Sequence, residues 1–277
     1  MGWGDELMAV GQARVHYEKT RQKVLFVDSE GQPRWSEIWE NSPYILRQPE
    51  PGCAIICNAP KSRPYIYRKN KKICEWQPFD LVPGEIFFSA QELAFGREHA
   101  RGSIVIEPNT KVSDSNKAWP WERWEQLARY GFDFVQLGPE GTRLLPGVRH
   151  IVTASFREAA AVLAHARGFV GAEGGMHHAA AAVSTPAVVL FSEFISPRIT
   201  GYLGHINLYQ GKTPLGNGAR LPCKKCQASM QAITVEQVVS ALNELMSVGS
   251  AVRPGVATAH RPAESRADKA HSQTLFA

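Results

Sequence analysis

The sequence has no apolar run of about 18 residues, so nothing in it reads as a membrane span. It also lacks a basic segment leading into an apolar stretch near Met1, which argues against a secretory leader and makes the cytoplasm the expected compartment. Cysteine is scarce. Five residues (Cys53, Cys57, Cys74, Cys223 and Cys226) in a chain of 277 are an odd count, which disfavours a disulfide framework and favours reduced thiols. The pair Cys223-Lys-Lys-Cys226 has the spacing of half a zinc site, but no second CxxC or HxxxH follows, so zinc or redox work is the weaker reading. A strand-GxGxxG-helix with an acid about 20 residues on is missing too, which argues against a nicotinamide-dependent oxidoreductase. One-sided charge is slight. The net charge is +5, and the last 28 residues hold Arg253, Arg261, Arg266 and Lys269 against Glu264 and Asp268. The rest is only mildly basic, so charge alone does not argue for nucleic-acid binding.

What remains is a globular composition, with 44% hydrophobic and 21% charged residues, long enough for roughly two domains at about 150 residues each. From Ser250 onward apolar periodicity stops, and 250–277 reads as a disordered tail. Residues 101–249 alternate short β-branched runs with helical patterns. Ile104 to Ile106, Phe134 to Leu137, His150 to Val152, Phe169 to Val170 and Ala187 to Phe191 read as strands. Helices are expected from Pro120 to about Tyr130, from Ser155 with Glu158 as a capping box, and from Thr234 with Gln237 in the same role. This order implies an α/β domain with a parallel sheet, Rossmann-like, whose ligands sit at the carboxyl ends of the strands. Residues 1–100 read as a reduced second α/β unit: a helix near Glu6 to Tyr17, then strands at Val24 to Val27, Cys53 to Cys57 and about Tyr65 to Tyr67.

Three stretches carry chemistry. In Phe169-Val-Gly-Ala-Glu173-Gly-Gly-Met-His-His178 a strand ends in a glycine turn that opens an alanine-rich helix, a place where backbone N–H groups and the helix dipole hold a phosphate without a metal. In Ile104-Val-Ile-Glu-Pro-Asn-Thr110 and Asn116-Lys117-Ala-Trp-Pro a strand delivers a loop whose lysine stands before a helix, suited to balancing charge on a leaving diphosphate. In Gly2-Trp-Gly-Asp5-Glu6 a carboxylate opens a helix, where it can take a proton from an attacking hydroxyl or merely complement the helix dipole. Segment 61–72 adds six cations with Tyr65 and Tyr67 and no acid, a pattern that fits either phosphate contacts or an edge strand guarded by lysines.

These stretches, in this order, resemble glycosyltransferase family nine, the ADP-heptose:lipopolysaccharide heptosyltransferase family. Glu173, Gly175, His178, Ala181 and Ala182, then Thr185-Pro186, are similar to its nucleotide-sugar motif, with Glu173 in place of the usual Asp. Ser196-Pro197, Cys223, Cys226 and Thr234 continue the likeness. The resemblance implies a GT-B fold of two Rossmann-like domains facing a cleft, with 1–100 on the acceptor side and 101–249 on the donor side. It implies an inverting, metal-independent glycosyltransferase with Asp5 and Lys117 as catalytic residues. Thr110, Glu140, Glu173, Gly174, Gly175, Met176, His177 and His178 would bind the nucleotide-diphosphate sugar, a co-substrate, with no cofactor and no metal site. Arg68, Lys69, Lys71 and Lys72 would meet an anionic acceptor, a phosphorylated glycolipid core or a nucleic acid. Transfer to modified bases in DNA and a non-catalytic nucleotide-sugar or nucleic-acid binding module remain the alternatives.

Overall fold

The structure, a computed structural model, describes residues 2–111 and 116–248. The tail expected at 250–277 lies outside the described residues. The chain opens with helix α1 (Trp3–Thr20), strand β1 (Val24–Val27), a short 3-10 turn at Glu37–Trp39, β2 (Ile45–Leu46), β3 (Ala54–Cys57) and the hairpin β4 (Ile66–Lys69) and β5 (Cys74–Trp76). After α2 (Ala90–Ala100) come β6 (Ile104–Glu107), α3 (Trp121–Ala128), β7 (Phe134–Gly138), β8 (Arg149–Val152), α4 (Phe156–His165), β9 (Gly168–Ala172) and α5 (Gly175–Ala182). The fold ends with β10 (Ala187–Phe191), α6 (Pro197–Thr200), β11 (His205–Tyr209), α7 (Lys224–Ala232) and α8 (Val235–Val248).

Two parallel sheets result. The amino-terminal one has the order β2-β1-β3, and the carboxy-terminal one β11-β10-β9-β6-β7-β8. Strand alternation assigns residues to the two faces of the larger sheet. Val105, Val135, Phe169 and Val189 join the core that holds α1, α4 and α5, whereas Ile104, Ile106, Phe134, Val170 and Val188 face α3 and α8. Both faces are covered by helices, which is why these strands read as continuous apolar runs.

Local chemistry sets the ends of the elements. Thr234 and Gln237 exchange backbone and side-chain hydrogen bonds at 2.9 and 3.2 Å, a complete capping box at the start of α8. At α4, Ser155 accepts from the Glu158 N–H at 3.1 Å, but the Glu158 carboxylate turns to the Ala154 N–H instead, so only half of that box forms. In the amino-terminal unit, α1 leads directly into β1. α2 comes from the amino-terminal half of the sequence and lies against α4, with Gly96 on the Ala161 carbonyl and Glu92 paired to Arg157 at 2.6 Å.

Candidate functional site

The larger sheet reverses its winding between β6 and β9. From β6 the chain proceeds outward to β7 and β8 on one side, then returns to β9, β10 and β11 on the other. Such a switch leaves a crevice outside the carboxyl ends of the two central strands, the usual ligand site of an open α/β sheet. Glu107 ends β6, and the loop after it carries a half-buried Thr110 and leads to Lys117 just before α3. β9 ends at Ala172, and Glu173 and Gly174 lead straight into α5. Two loops 56 residues apart in number therefore meet: Lys117 Nζ lies 2.5 Å from Glu173 Oε2.

Glu173 is the centre of a buried network. Its Oε1 accepts the Thr200 hydroxyl at 3.4 Å and lies 3.7 Å from His178 Nε2, and His178 Nδ1 meets the Tyr202 hydroxyl at 2.8 Å. Burial by itself raises the Glu173 carboxyl, but the Lys117 ammonium first, and then His178, hold it well below the usual carboxylate range. His177 is fully enclosed among His178, Phe191, Tyr202 and His205, and burial first and the His178 charge second drive it far below the ordinary imidazole range. Neither of its ring nitrogens has a hydrogen-bond partner among the described residues. His177 is thus a wall of the site, while Gly174, Gly175 and Met176 form the turn whose N–H groups the first helical turn leaves without intrahelical acceptors.

Glu107 adds a second acid at the same crevice. Burial pushes its carboxyl up to about 8, against a 2.9 Å hydrogen bond from the Asn109 N–H. Its strand partner is Gly171, where a side chain would crowd Glu107 Cβ. Glu140 is exposed beyond the carboxyl end of β7, the other neighbour of β6.

The amino-terminal end of α1 closes this crevice from the opposite side. A Cβ on Gly4 would overlap the His178 ring, and Trp3 stacks on Phe156 at 5.4 Å above Gly175. Asp5 stands one residue beyond that contact. Arg63 Nη1 approaches its Oδ2 at 2.6 Å, and the Tyr65 hydroxyl donates to its Oδ1. Burial first, then the Asp5 charge, keep Tyr65 protonated well above its usual range. Arg63 Nε and Nη2 are buried with no hydrogen-bond partner among the described residues, and Arg63 lines a cavity of about 390 Å³ with Gln12, Asn58, Ser62, Phe79 and Asp80. That volume lies within the range of small-molecule sites. Arg63 was visible in the sequence only as one cation among six; its separation from the others appears once Pro64 and Tyr65 turn the chain inward.

The cations read as an acceptor contact sit elsewhere on the hairpin. Arg68 pairs with Glu75 at 2.5 Å, and Lys71 and Lys72 are exposed in the turn between β4 and β5, with Lys69 half-buried. The hairpin is held to the carboxy-terminal half by the Cys74 N–H on the Gly218 carbonyl at 2.8 Å and the Arg220 N–H on the Lys72 carbonyl at 2.9 Å. Glu173, His177 and His178 also place one ligand atom each within 4.8 Å of one another, a grouping with the composition of a metal site. The Lys117 ammonium already occupies the carboxylate of that trio.

Residues 148–232, which contain this network's turn and α5, match the family model described as Glycosyltransferase family 9 (heptosyltransferase). A family 9 glycosyl transferase from Veillonella parvula DSM 2008 superposes over 90% of this chain and 95% of its own, with a TM-score of 0.63 at 14% identity. The chain has the fold of a family 9 glycosyltransferase. Its two parallel sheets meeting at a crevice are the GT-B arrangement, and residues 148–232 are similar to the heptosyltransferase family in sequence. The ADP-heptose lps heptosyltransferase II of E. coli is 20% identical with a TM-score of 0.48 over 63% of this chain, which spans only 57% of that enzyme. The iron-containing dodecameric glycosyltransferase TibC from enterotoxigenic E. coli H10407 is 16% identical, with a TM-score of 0.43 over 63% of this chain and 49% of its own. No curated protein sequence matches the chain. Among the described residues, no helix is long and apolar enough to cross a membrane.

Proposed function

We propose that this protein is an inverting glycosyltransferase that moves a sugar from a nucleotide-diphosphate donor to a hydroxyl of an anionic acceptor, with heptosyl transfer the favoured chemistry. The observation that carries this reading is the seating of α1 on α5: Gly4 against His178 brings Asp5 to the same crevice as Lys117 and the Glu173–His178 turn. The diphosphate lies over the N–H groups of that turn, where the helix dipole favours negative charge. Lys117 is held in place by Glu173, so it needs no reorganisation to balance charge as the nucleoside diphosphate leaves. Asp5, fixed in direction by Arg63 and Tyr65, takes the proton of the attacking hydroxyl. The hydroxyl approaches the anomeric carbon from the face opposite the departing diphosphate, and the configuration inverts. No step calls on a metal, because the lysine already supplies the positive charge at the carboxylate.

The acceptor enters from the amino-terminal side. Arg63 offers two nitrogens, Nε and Nη2, without a hydrogen-bond partner among the described residues beside the 390 Å³ cavity, and these suit a carboxylate or phosphate on the acceptor. Titration calorimetry with ADP and UDP tests the donor assignment. Lys117→Ala should weaken binding of the preferred diphosphate by about 1–3 kcal/mol, the usual loss for a charged hydrogen-bond partner. Unchanged affinity in that variant would remove Lys117, and the crevice with it, from the donor site.

A further inference from the structure

The pair Cys223-Lys-Lys-Cys226 takes no part in the chemistry above, yet it is tied to the same loops. Cys223 is the N-cap of α7 and Cys226 lies in that helix's first turn, buried, while Cys223 reaches the surface. One side chain serves both sulfurs: Asn217 Nδ2 donates to Cys223 Sγ at 3.6 Å, and the Cys226 thiol donates to Asn217 Oδ1 at 3.4 Å. Burial works against ionisation of Cys223, but the N–H groups of Cys226 and Lys225 and the Cys226 and Asn217 side chains outweigh it and lower the thiol. Burial pushes the Cys226 thiol up to about 12. An accessible, acidified cysteine followed by a buried partner one turn on is the layout of a dithiol that exchanges with disulfides. Among the described residues the sole three-ligand cluster is Glu173, His177 and His178, so the CxxC finds no companions for a metal.

The pair is also wired to Lys117. Asn116, its neighbour in the chain, donates from Nδ2 to the Ala219 and Leu221 carbonyls at 2.7 and 2.8 Å, and its Oδ1 accepts the Cys223 N–H at 2.8 Å. Asn217, which holds both sulfurs, also fixes this stretch through the Ala219 N–H at 3.0 Å. A disulfide bond, with its S–S length of about 2.05 Å, removes the Cys226 S–H that Asn217 Oδ1 accepts and ties the Cys223 N-cap to the helix's first turn. Any shift of that N-cap reaches Asn116 through the Cys223 N–H that its Oδ1 accepts.

We propose that Cys223 and Cys226 form a reversible dithiol–disulfide pair whose state sets the position of the Lys117 loop through Asn116. In the forward direction the Cys223 thiolate attacks a low-molecular-weight disulfide such as oxidised glutathione. The glutathione S–S bond breaks, one thiolate leaves, and a mixed disulfide forms on Cys223. Cys226 then loses its proton to solvent and attacks the Cys223 sulfur, and the second glutathione thiolate leaves. Two protein thiols are oxidised and one glutathione disulfide is reduced to two thiols; excess reduced glutathione reverses both steps. With Lys117 at the donor phosphates, a corollary that rests on the function proposed above, nucleoside diphosphate affinity follows the state of the pair.

The test equilibrates the full chain in glutathione buffers from fully reduced to fully oxidised. Thiols are trapped by alkylation and mapped by peptide mass spectrometry, and amide hydrogen exchange is followed over 116–124 and 217–226. One Cys223–Cys226 disulfide should form reversibly, exchange in both segments should change with it, and ADP affinity should differ between the end states by about 5-fold or more. Cys223→Ser should show none of these responses while keeping the affinity of the reduced protein. A persistent glutathione adduct without the internal disulfide, a tightly bound metal shielding both thiols, or a disulfide that leaves exchange at 116–124 unchanged would each overturn the proposal. Exchange that tracks the disulfide in a protein that binds no nucleotide even when reduced would instead uphold the redox pair and sink the donor role of Lys117.

Discussion

Glu107 ends β6 and Glu173 follows its neighbour β9, and the same loss of water acts on both with opposite results. Glu173 has Lys117 against it and stays ionised; among the described residues Glu107 has one backbone N–H, that of Asn109, and burial pushes its carboxyl up to about 8. The consequences for stability have opposite signs. Glu173, depressed on folding, contributes fully above the unfolded carboxyl value of about 4.3 and loses its contribution as the pH falls below that. Glu107, raised on folding, contributes fully below about 4.3 and loses its contribution as the pH rises toward 8. Glu107→Gln should therefore gain melting temperature over the parent progressively across that interval and level off above it. Scanning calorimetry at a series of pH values reads this directly, and a flat difference would mean that Glu107 is already ionised in the folded protein. At Asp5 the expectation is kinetic. Asp5→Asn should leave ADP affinity nearly intact but lower turnover by about 10²-fold or more, the share of a general base. A rate close to the parent's would return Asp5 to a helix-dipole role.

At the level of elements, the meeting of α1 with α5 depends on the absence of one methyl group. Gly4→Ala drives a Cβ into the His178 ring, and the lack of room there should cost about 1–3 kcal/mol in urea unfolding. Gly131→Ala is the matched comparison, since its Cβ meets nothing within 4 Å. Equal midpoints for the two variants would show that α1 is not seated on α5. Why some elements were legible and others were not follows from what their side chains face. β1 was read residue for residue because all four positions are buried and apolar. β11 (His205–Tyr209) was missed: at the sheet edge every one of its residues is half-buried, so His205 and Asn207 sit among apolar neighbours and blur the pattern. α2 announces itself through the Ser89–Glu92 capping box, yet Gly96 in its middle weakens the helical signal, and that glycine is there for α4. α7 shows in the sequence as a cysteine motif and not as a helix. In the site, the phosphate-binding turn was visible because a strand, a glycine pair and an alanine helix follow one another. Arg63, Tyr65 and Glu107 were not, since only the folded chain brings Arg63 and Tyr65 to Asp5 and dries the end of β6.

For the molecule as a whole, the acceptor's charge should show in the ionic-strength dependence of the reaction. Raising salt from about 50 to about 200 mM should raise the acceptor KM and leave the donor KM nearly unchanged, as expected where cations recruit an anion. Neutralising Arg68, Lys69, Lys71 and Lys72 together should flatten that dependence, with the smallest share from Arg68, which already pairs with Glu75. A salt-insensitive acceptor KM would leave these side chains as guards of the hairpin edge. The packing of α2 on α4 bears on how the protein can be cut. Arg157 is buried, with Glu92 at 2.6 and 2.9 Å, the Phe87 carbonyl at 2.7 Å and the Glu37 carbonyl at 3.2 Å as its partners. A fragment that starts at residue 101 strands that guanidinium without a counter-charge, a loss of about 3–5 kcal/mol for a broken buried pair. One that starts at residue 86 carries Phe87 and Glu92 along. Expressed alone, residues 86–248 should melt cooperatively where residues 101–248 aggregate, so the piece that can be detached and still survive begins some fifteen residues earlier than the first strand of its sheet suggests.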